Sequence, residues 1–410
     1  MNAAAPAASL RSAPDAGPAP RPPAVAPAMP PAPPIRVLHL ISTLRPGGTE
    51  LAMIRLLGHL DRESFRCRVA WLRDDPVLAA AVQEATGHPP IPIGLRGKVS
   101  PAALVRLAAL VRRERFDIVH THMDLADYYG AAAARLRSGT VLVSSKQNAD
   151  EFRTRRTWKR PPFLLLEHCA YGAANAVIAV SEGLVDFLER AEGLPRHKTV
   201  VIGNGVDPDL GAGAPDRAEA RRRLGLPATG PILGTVGRLA AQKGQVDLLR
   251  ALPSIRARFP EALLVVAGDG PERAALEREA ERLGVTGAVR LLGHQADVPA
   301  VLAALDLFLL PSLWEGLPLA LLEAMAMRLP VVATRAVGID ELITDGVEGR
   351  LTPLHDPAAL AAAAIDLLAD PQRAQAMGTA ARRRAVGRHS QAAVAADVAA
   401  LYRRLLQERA

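Results

Sequence analysis

Two glutamates, Glu315 and Glu323, interrupt the otherwise almost wholly apolar stretch SLWEGLPLALLEAM (312–325). Carboxylates seldom sit in such surroundings unless they are paired or used. Gly316 and Pro318 forbid a continuous helix between them, so Glu315 belongs to a loop. Glu323 falls in the second turn of a helix that begins near Pro318. A carboxylate there can accept hydrogen bonds from two vicinal hydroxyls, as on a ribose. Glu315 lies nearer the reactive end of the same ligand, and the loop amides around Gly316 and Leu317, beside a helix N-terminus, suit phosphate oxygens. Two solvated glutamates would explain the stretch equally well if it stood alone, so other residues have to decide.

Arg238 and Lys243 in TVGRLAAQKGQ follow a predicted strand and precede a predicted helix, with Gly237 and Gly244 letting the chain turn. Two cations at a helix N-terminus form a site for a diphosphate. In AGDGPER, Pro271 suits the first turn of a helix and Asp269 either meets a ligand or shapes the turn. The run DIVHTHMDLAD contains H-x-H-x-D, from His120, His122 and Asp124, a spacing seen in metal hydrolases. Leu125 stands where such hydrolases carry a further histidine, and no other His-rich loop follows, so no metal is expected. His120 and His122 share one face of a strand. If that strand ends near His120, His122 alone reaches a cleft and His120 is a hydrogen-bonded structural histidine.

These residues need strands that end beside them. IRVLHLIS, RCRVAWL, FDIVHTH, TVLVSSK, NAVIAVS and KTVVIGNG are short β-branched apolar runs, several separated by helical stretches such as PAALVRLAALVRRER. After a break between about Gly205 and Gly230, a second series begins with PILGTVGRL, ALLVVAGDG, VRLLGH, LDLFLLPS and LPVVATR. Helices are predicted to start near Gln245, Pro271, Val298 and Pro318. The alternation predicts an α/β chain of two Rossmann-like halves facing a cleft, residues 35–206 and 207–387. In such sheets ligands bind beyond the carboxyl ends of the strands. A last helix, within 388–410, carries Val394, Val398, Leu401, Tyr402 and Leu405 on one face, with Ser390 as its N-cap. Residues 1–34 are Ala/Pro-rich and predict a disordered arm.

Composition narrows the class. The two cysteines, Cys67 and Cys169, give neither a disulfide framework nor a cysteine zinc site and fit a reducing cytoplasm. The net charge of +8 suits anionic substrates or surfaces, while 3% aromatic residues leave few platforms for stacking bases, so no nucleic-acid partner is expected. No apolar run is long enough to span a bilayer. The first β-α turn, ISTLRPGGTE, lacks the G-x-G-x-x-G of a dinucleotide site, which argues against a dehydrogenase.

The constellation resembles glycosyltransferase family 4, the retaining transferases of the GT-B fold. The resemblance rests on GRLAAQKG, GDGP, and E-x7-E set in PSLWEGLPLALLEAMA and followed by LPVVATRAVGIDELITDGVEGRL, with PGGTE, DIVHTH, IAVSEG and the hinge VIGNGVD in the first half. It covers the chain from about Ile35 to the C-terminus. It implies a nucleotide-sugar donor, with UDP-sugars the commonest in the family, and a glycan or lipid-linked acceptor in cell-surface polysaccharide synthesis. Arg238 and Lys243 would hold the donor diphosphate, Glu323 the ribose and Glu315 the transferred sugar or the charge developing on it. Gly47 and Gly48 would form the loop that approaches the donor, His122 would face the anomeric centre, and the last helix would return to the first domain. No D-x-D motif lies near the donor loops, so transfer is expected to need neither metal nor cofactor. The alternatives are a non-catalytic nucleotide-sugar-binding protein and another GT-B enzyme such as a nucleotide-sugar epimerase. Finally, EFRTRRTWKRPPFLLLEH gathers Arg153, Arg155, Arg156, Lys159 and Arg160 beside Trp158 and Phe163. That mixture suits an anionic membrane interface, which predicts a cytoplasmic protein with peripheral contact to the inner face of the cell membrane.

Overall fold

The structure, a computed structural model, describes residues 1–2, 33–97, 99–136, 139–148 and 160–409. Residues 34–410 form one compact unit. Its strands are β1 Ile35–Ile41, β2 Phe65–Trp71, β3 Ile91–Pro92, β4 Ile118–His122, β5 Val141–Lys146, β6 Ala176–Ala179 and β7 Thr199–Val201, then β8 Ile232–Val236, β9 Leu263–Ala267, β10 Val289–Gly293, β11 Leu307–Leu310, β12 Val331–Thr334 and β13 Arg350–Thr352. They build two sheets, ordered β3-β2-β1-β4-β5-β6-β7 and β10-β9-β8-β11-β12-β13. The recorded strand pairings are parallel, as expected when helices supply the crossovers. This is the pair of Rossmann-like sheets that the alternation predicts. Two short edge strands, β3 and β13, escape sequence reasoning. Each is two or three residues long, too short to carry a period.

The strand order dictates where ligands can go. In the first sheet β1 has β2 on one side and β4 on the other, so the chain reverses direction of travel across the sheet there. In the second sheet β8, between β9 and β11, is the equivalent point. A crevice opens beyond the carboxyl ends at such switch points because the adjoining crossovers leave on opposite faces. The segments after β1, β4, β8 and β11 are therefore the ones to inspect, and they carry Gly47–Gly48, Met123, Arg238–Lys243 and Glu315, with His122 the last residue of β4 itself.

The last helix, Gln391–Gln407, is capped by the Ser390 side chain, which accepts from the Ala393 amide. Its Val398, Leu401, Tyr402 and Leu405 are buried in the core of the first sheet, with Val37, Ile118 and Val143. Burying each such side chain contributes about 1.5–3 kcal/mol, which holds the helix on the first domain. Another tie lies at the end of β5. Lys146 is fully buried and pairs with Asp127 at 2.8 Å and Glu167 at 3.1 Å. Removing one partner of such a buried set would leave an uncompensated charge, a loss of about 3–5 kcal/mol. The network thereby fixes the start of the loop that begins with Gln147.

Candidate active site

A cleft of about 570 Å³ lies between the two sheets. The first half contributes Gly48, Thr49, Glu50, Met123, Gln147 and Asn148 to its lining. The second half contributes Arg238, Gln242, Lys243, Trp314, Glu315, Gly316 and Leu317, among others. Each set follows a strand that ends at or next to a switch point.

The loop after β8 owes its shape to its neighbour. The Gly237 amide donates to the Ala267 carbonyl and the Leu239 amide to that of Asp269, both at 2.9 Å. A Cβ at Gly268 would lie 1.9 Å from the Gly237 carbonyl oxygen, so only glycine lets the two turns touch. Asp269 itself accepts from the Gly270 amide at 2.8 Å, a turn-shaping contact. Gly244, at φ 60°, opens the Gln245–Arg258 helix and packs against Pro311. Arg238 is thereby left exposed on the cleft wall. Lys243 donates to Glu315 Oε1 at 2.6 Å, and the Ser312 hydroxyl donates to the same oxygen at 2.7 Å. Glu315 is nearly buried, and these two donors satisfy its charge. Its loop is also tied down: the Glu315 amide donates to Val337 O, and Gln242 Nε2 donates to Trp314 O.

At Gly316 the backbones of the two halves approach closely. A Cβ there would lie 2.0 Å from the Gln147 carbonyl oxygen. Around it Asn204 Nδ2 donates to Leu317 O at 2.8 Å, and the side-chain amides of Asn148 and Gln242 meet at 3.3 Å. Farther out, the Glu341 carboxylate accepts from the amides of Glu182 and Gly183, at the start of the Glu182–Glu192 helix. The halves are thus closed upon one another.

Three expected positions are more specific in the structure than in the sequence. Gly47 is the extended N-cap residue of the Gly48–His59 helix, and it is Gly48 that lines the cleft. Glu50 folds back over Gly47, held by the Thr43 hydroxyl at 2.9 Å, and burial raises its carboxyl above the usual range. Glu323 does lie in the helix predicted for it, Leu319–Ala326, but it does not line the cleft. It pairs with Arg55 of the Gly48–His59 helix.

His122 differs more. β4 runs through His122 rather than stopping at His120, so both rings point to the same inner face. His122 is 2% exposed and lines a separate cavity of about 40 Å³, and Met123 takes the place on the cleft wall that His122 was expected to fill. Gln147 and Asn204 border both spaces. The chain turns at Met123 through φ 70° and ψ 165°, a conformation that non-glycine residues rarely adopt. His122 Nε2 meets His39 Nδ1 at 3.0 Å, while His120 contacts the Tyr402 hydroxyl and the Ser145 hydroxyl, each at 2.6 Å. The structural part foreseen for His120 is therefore visible in its partners. Burial pushes His122 down to about 3 and takes His39 and His120 well below their ordinary value, with the neighbouring rings adding to the shift. All three are neutral at neutral pH. Their nearest nitrogens lie within 4.8 Å of one another, and among the described residues they are the group that could surround an ion. Both His120 nitrogens already have partners, so an ion there would have to displace one of those contacts.

Sequence reasoning missed Gln147, Asn148, Asn204, Gln242, Trp314 and Met123. The rule of looking just past strand ends would have found the first two, which follow β5 directly. Of the basic candidates, Arg153, Arg155, Arg156 and Lys159 lie outside the described residues, and Arg160 opens the Arg160–Ala173 helix.

Comparison with known proteins decides the lineage. The family model "Glycosyltransferase Family 4" matches residues 46–210, and "Glycosyl transferases group 1" matches residues 216–384. EpsF of Bacillus subtilis (strain 168) is 30% identical over 322 residues, 77% of this chain and 82% of the relative. The chain is a family 4 glycosyltransferase. This glycosyltransferase is also 30% identical over 258 residues to the Escherichia coli UDP-Gal:alpha-D-GlcNAc-diphosphoundecaprenol alpha-1,3-galactosyltransferase, across 62% of this chain and 67% of that one. Its fold superposes on that of Anabaena Alr3699/HepE in complex with UDP-glucose with a TM-score of 0.79, at 26% identity, covering 90% of this chain and all of the other. The glycosyltransferase therefore has the GT-B fold, with its last helix returned to the first domain.

Proposed function

We propose that this glycosyltransferase moves a sugar, with retention at the anomeric carbon, from a UDP-sugar to a glycan or lipid-linked acceptor of cell-surface polysaccharide synthesis. The observation that carries the reading is the meeting of Arg238, Lys243 and Glu315 on one wall of a cleft at the switch points of two Rossmann-like sheets. The UDP-glucose complex of HepE and the diphosphoundecaprenol-linked acceptor in the name of the Escherichia coli relative support the donor and acceptor classes.

In the reaction the bond between the anomeric carbon and the β-phosphate oxygen breaks, and its electron pair leaves with the nucleoside diphosphate. Arg238, Lys243 and the loop amides of Gly316 and Leu317 meet the charge that grows there, a stabilisation strongest in the transition state. The acceptor hydroxyl attacks from the face the diphosphate is leaving, and its proton passes to the departing phosphate oxygen. Glu315 holds Lys243 against the diphosphate side and counters positive charge on the sugar. His122, behind the wall, borders a small cavity that also reaches Gln147, a residue of the cleft lining, and acts on the site from there rather than by direct exposure to it. Two fixed cations supply the charge that a metal would otherwise bring, so transfer is metal-independent in this reading. A panel of UDP-, GDP- and ADP-sugars with a lipid-linked or oligosaccharide acceptor tests it, with product stereochemistry read by NMR. An inverted product, or turnover abolished by EDTA and restored by a divalent cation, overturns those parts.

Peripheral membrane contact belongs to the same reading. No helix among the described residues is long and apolar enough to cross a membrane. Leu165 and Leu166, in the Arg160–Ala173 helix next to the basic segment, are 66% and 48% exposed. Apolar side chains beside cations suit an anionic lipid surface. Co-sedimentation with anionic but not neutral vesicles, lost in added salt, is the expected result; protein that stays in the supernatant at low salt refutes it.

A further inference from the structure

The Gly48–His59 and Leu319–Ala326 helices both begin at the cleft, with Gly48 and Thr49 on one side and Leu319 on the other. Residues four and seven positions on return to the same helix face. Arg55, seven residues beyond Gly48, and Glu323, four beyond Leu319, accordingly come together one or two turns behind the cleft lining. There Arg55 Nη2 donates to Glu323 Oε1 across the gap between the domains. Their side chains are 24% and 8% exposed. The second guanidinium nitrogen, Arg55 Nη1, is buried without a hydrogen-bond partner.

This pairing conflicts with the expected task of Glu323. A carboxylate that receives both vicinal hydroxyls of a ribose needs both of its oxygens. Arg55 occupies one of them, so a ribose has to compete with the guanidinium for that oxygen. The arginine has a way out, being partly exposed, whereas Glu323 does not. Arg55 is also incompletely satisfied where it is, with Nη1 buried and unpartnered, so the contact is one that a ligand can replace.

We propose that Arg55 is a built-in plug for the donor site: it pairs with Glu323 in the ligand-free enzyme, and the nucleotide ribose must displace it to bind. The inference rests on the reading that Glu323 binds the ribose. It goes further in making nucleotide entry a competition with a side chain of the acceptor-side domain, which couples donor occupancy to the contact between the halves. When the binding-competent state is only a fraction of the population, apparent affinity falls by that fraction. Removing the plug should therefore tighten binding, the opposite of what loss of a ligand contact does.

The test measures calorimetric affinity for UDP or GDP, whichever the wild type binds more tightly. Arg55→Ala and Arg55→Met should each bind that nucleotide about three- to thirtyfold more tightly. The Met variant keeps most of the apolar stem, guarding against a general loss of packing. Glu323→Ala should bind about tenfold more weakly. Arg55→Ala/Glu323→Ala should match Glu323→Ala, because without the carboxylate there is nothing to unplug. A merely structural ion pair would lower the melting temperature on removal and leave affinity equal or weaker. If both Arg55 variants bind equally or more weakly while Glu323→Ala loses affinity, the plug is wrong and the ribose assignment stands. If Glu323→Ala binds normally, the ribose assignment fails and this inference falls with it.

Discussion

Gly316→Ala is the smallest change that should separate donor binding from turnover. The added methyl would lie 2.0 Å from the Gln147 carbonyl oxygen, 2.7 Å from its carbon and 2.9 Å from Val180 Cγ2. The obstacle is backbone on one side and a buried β-branched side chain on the other, neither of which can swing away. Reaching an ordinary contact distance requires the two halves to part by more than about 1 Å. A misplacement of that size between reacting groups costs on the order of a hundredfold in rate. In the proposed function the nucleotide is held by Arg238 and Lys243, which lie on the same half as Gly316, so its affinity should change by less than about threefold, or 0.7 kcal/mol. The assay pairs calorimetric titration of the nucleoside diphosphate with steady-state release of that product from the nucleotide-sugar that supports wild-type turnover. A kcat drop of about a hundredfold at nearly constant nucleotide affinity is expected. A variant that turns over within threefold of the wild type would refute the claim that this close approach sets the catalytic geometry.

Three further outcomes follow from the same structure. Arg238→Ala and Lys243→Ala should each lower kcat/KM about ten- to a hundredfold through lost charge-assisted contacts; the melting temperature should hold for the exposed Arg238 and fall for Lys243, whose loss leaves the buried Glu315 carboxylate without its cation, and donor kinetics with thermal melts check this. His39, His120 and His122 are held neutral in the fold, so their contribution to stability is complete above the ordinary histidine value of 6.5 and is lost as pH falls below it toward the folded values. At one unit below that value each imidazole costs roughly 1.4 kcal/mol, about 4 kcal/mol for the three, so denaturation curves at pH 7.5 and 5.5 should differ by at least that much, and superimposable curves would contradict the burial argument. Met123→Gly should relieve the turn at φ 70° and raise stability by about 1 kcal/mol net of glycine's added unfolded-state entropy, which chemical denaturation can measure.

Much of the fold is legible because its signals are local. Runs such as IRVLHLI and LLVVA become β1 and β9, and Ser390 caps the last helix as its type and place suggest. The glycines at 237, 244, 268 and 270 declare the turns after β8 and β9, since positive φ or backbone contact at those places excludes other residues. Arg238, Lys243 and Glu315 were accessible for the same reason: each follows a strand, and strand ends at switch points face the crevice. Sequence alone thus determined the two-sheet frame and, in the second half, the loops after β8 and β11 that line its cleft. Tertiary structure alone decided the partners. Arg55 and Glu323 are 268 positions apart, and no period or propensity connects them. His122 turned inward because β4 runs one alternation farther than a boundary drawn at His120 allows, and a strand's side-chain direction depends on where pairing with β1 and β5 stops. Gly316 meets Gln147 only because two separately folded sheets close on each other, and that approach is fixed by the shape of both surfaces rather than by either segment.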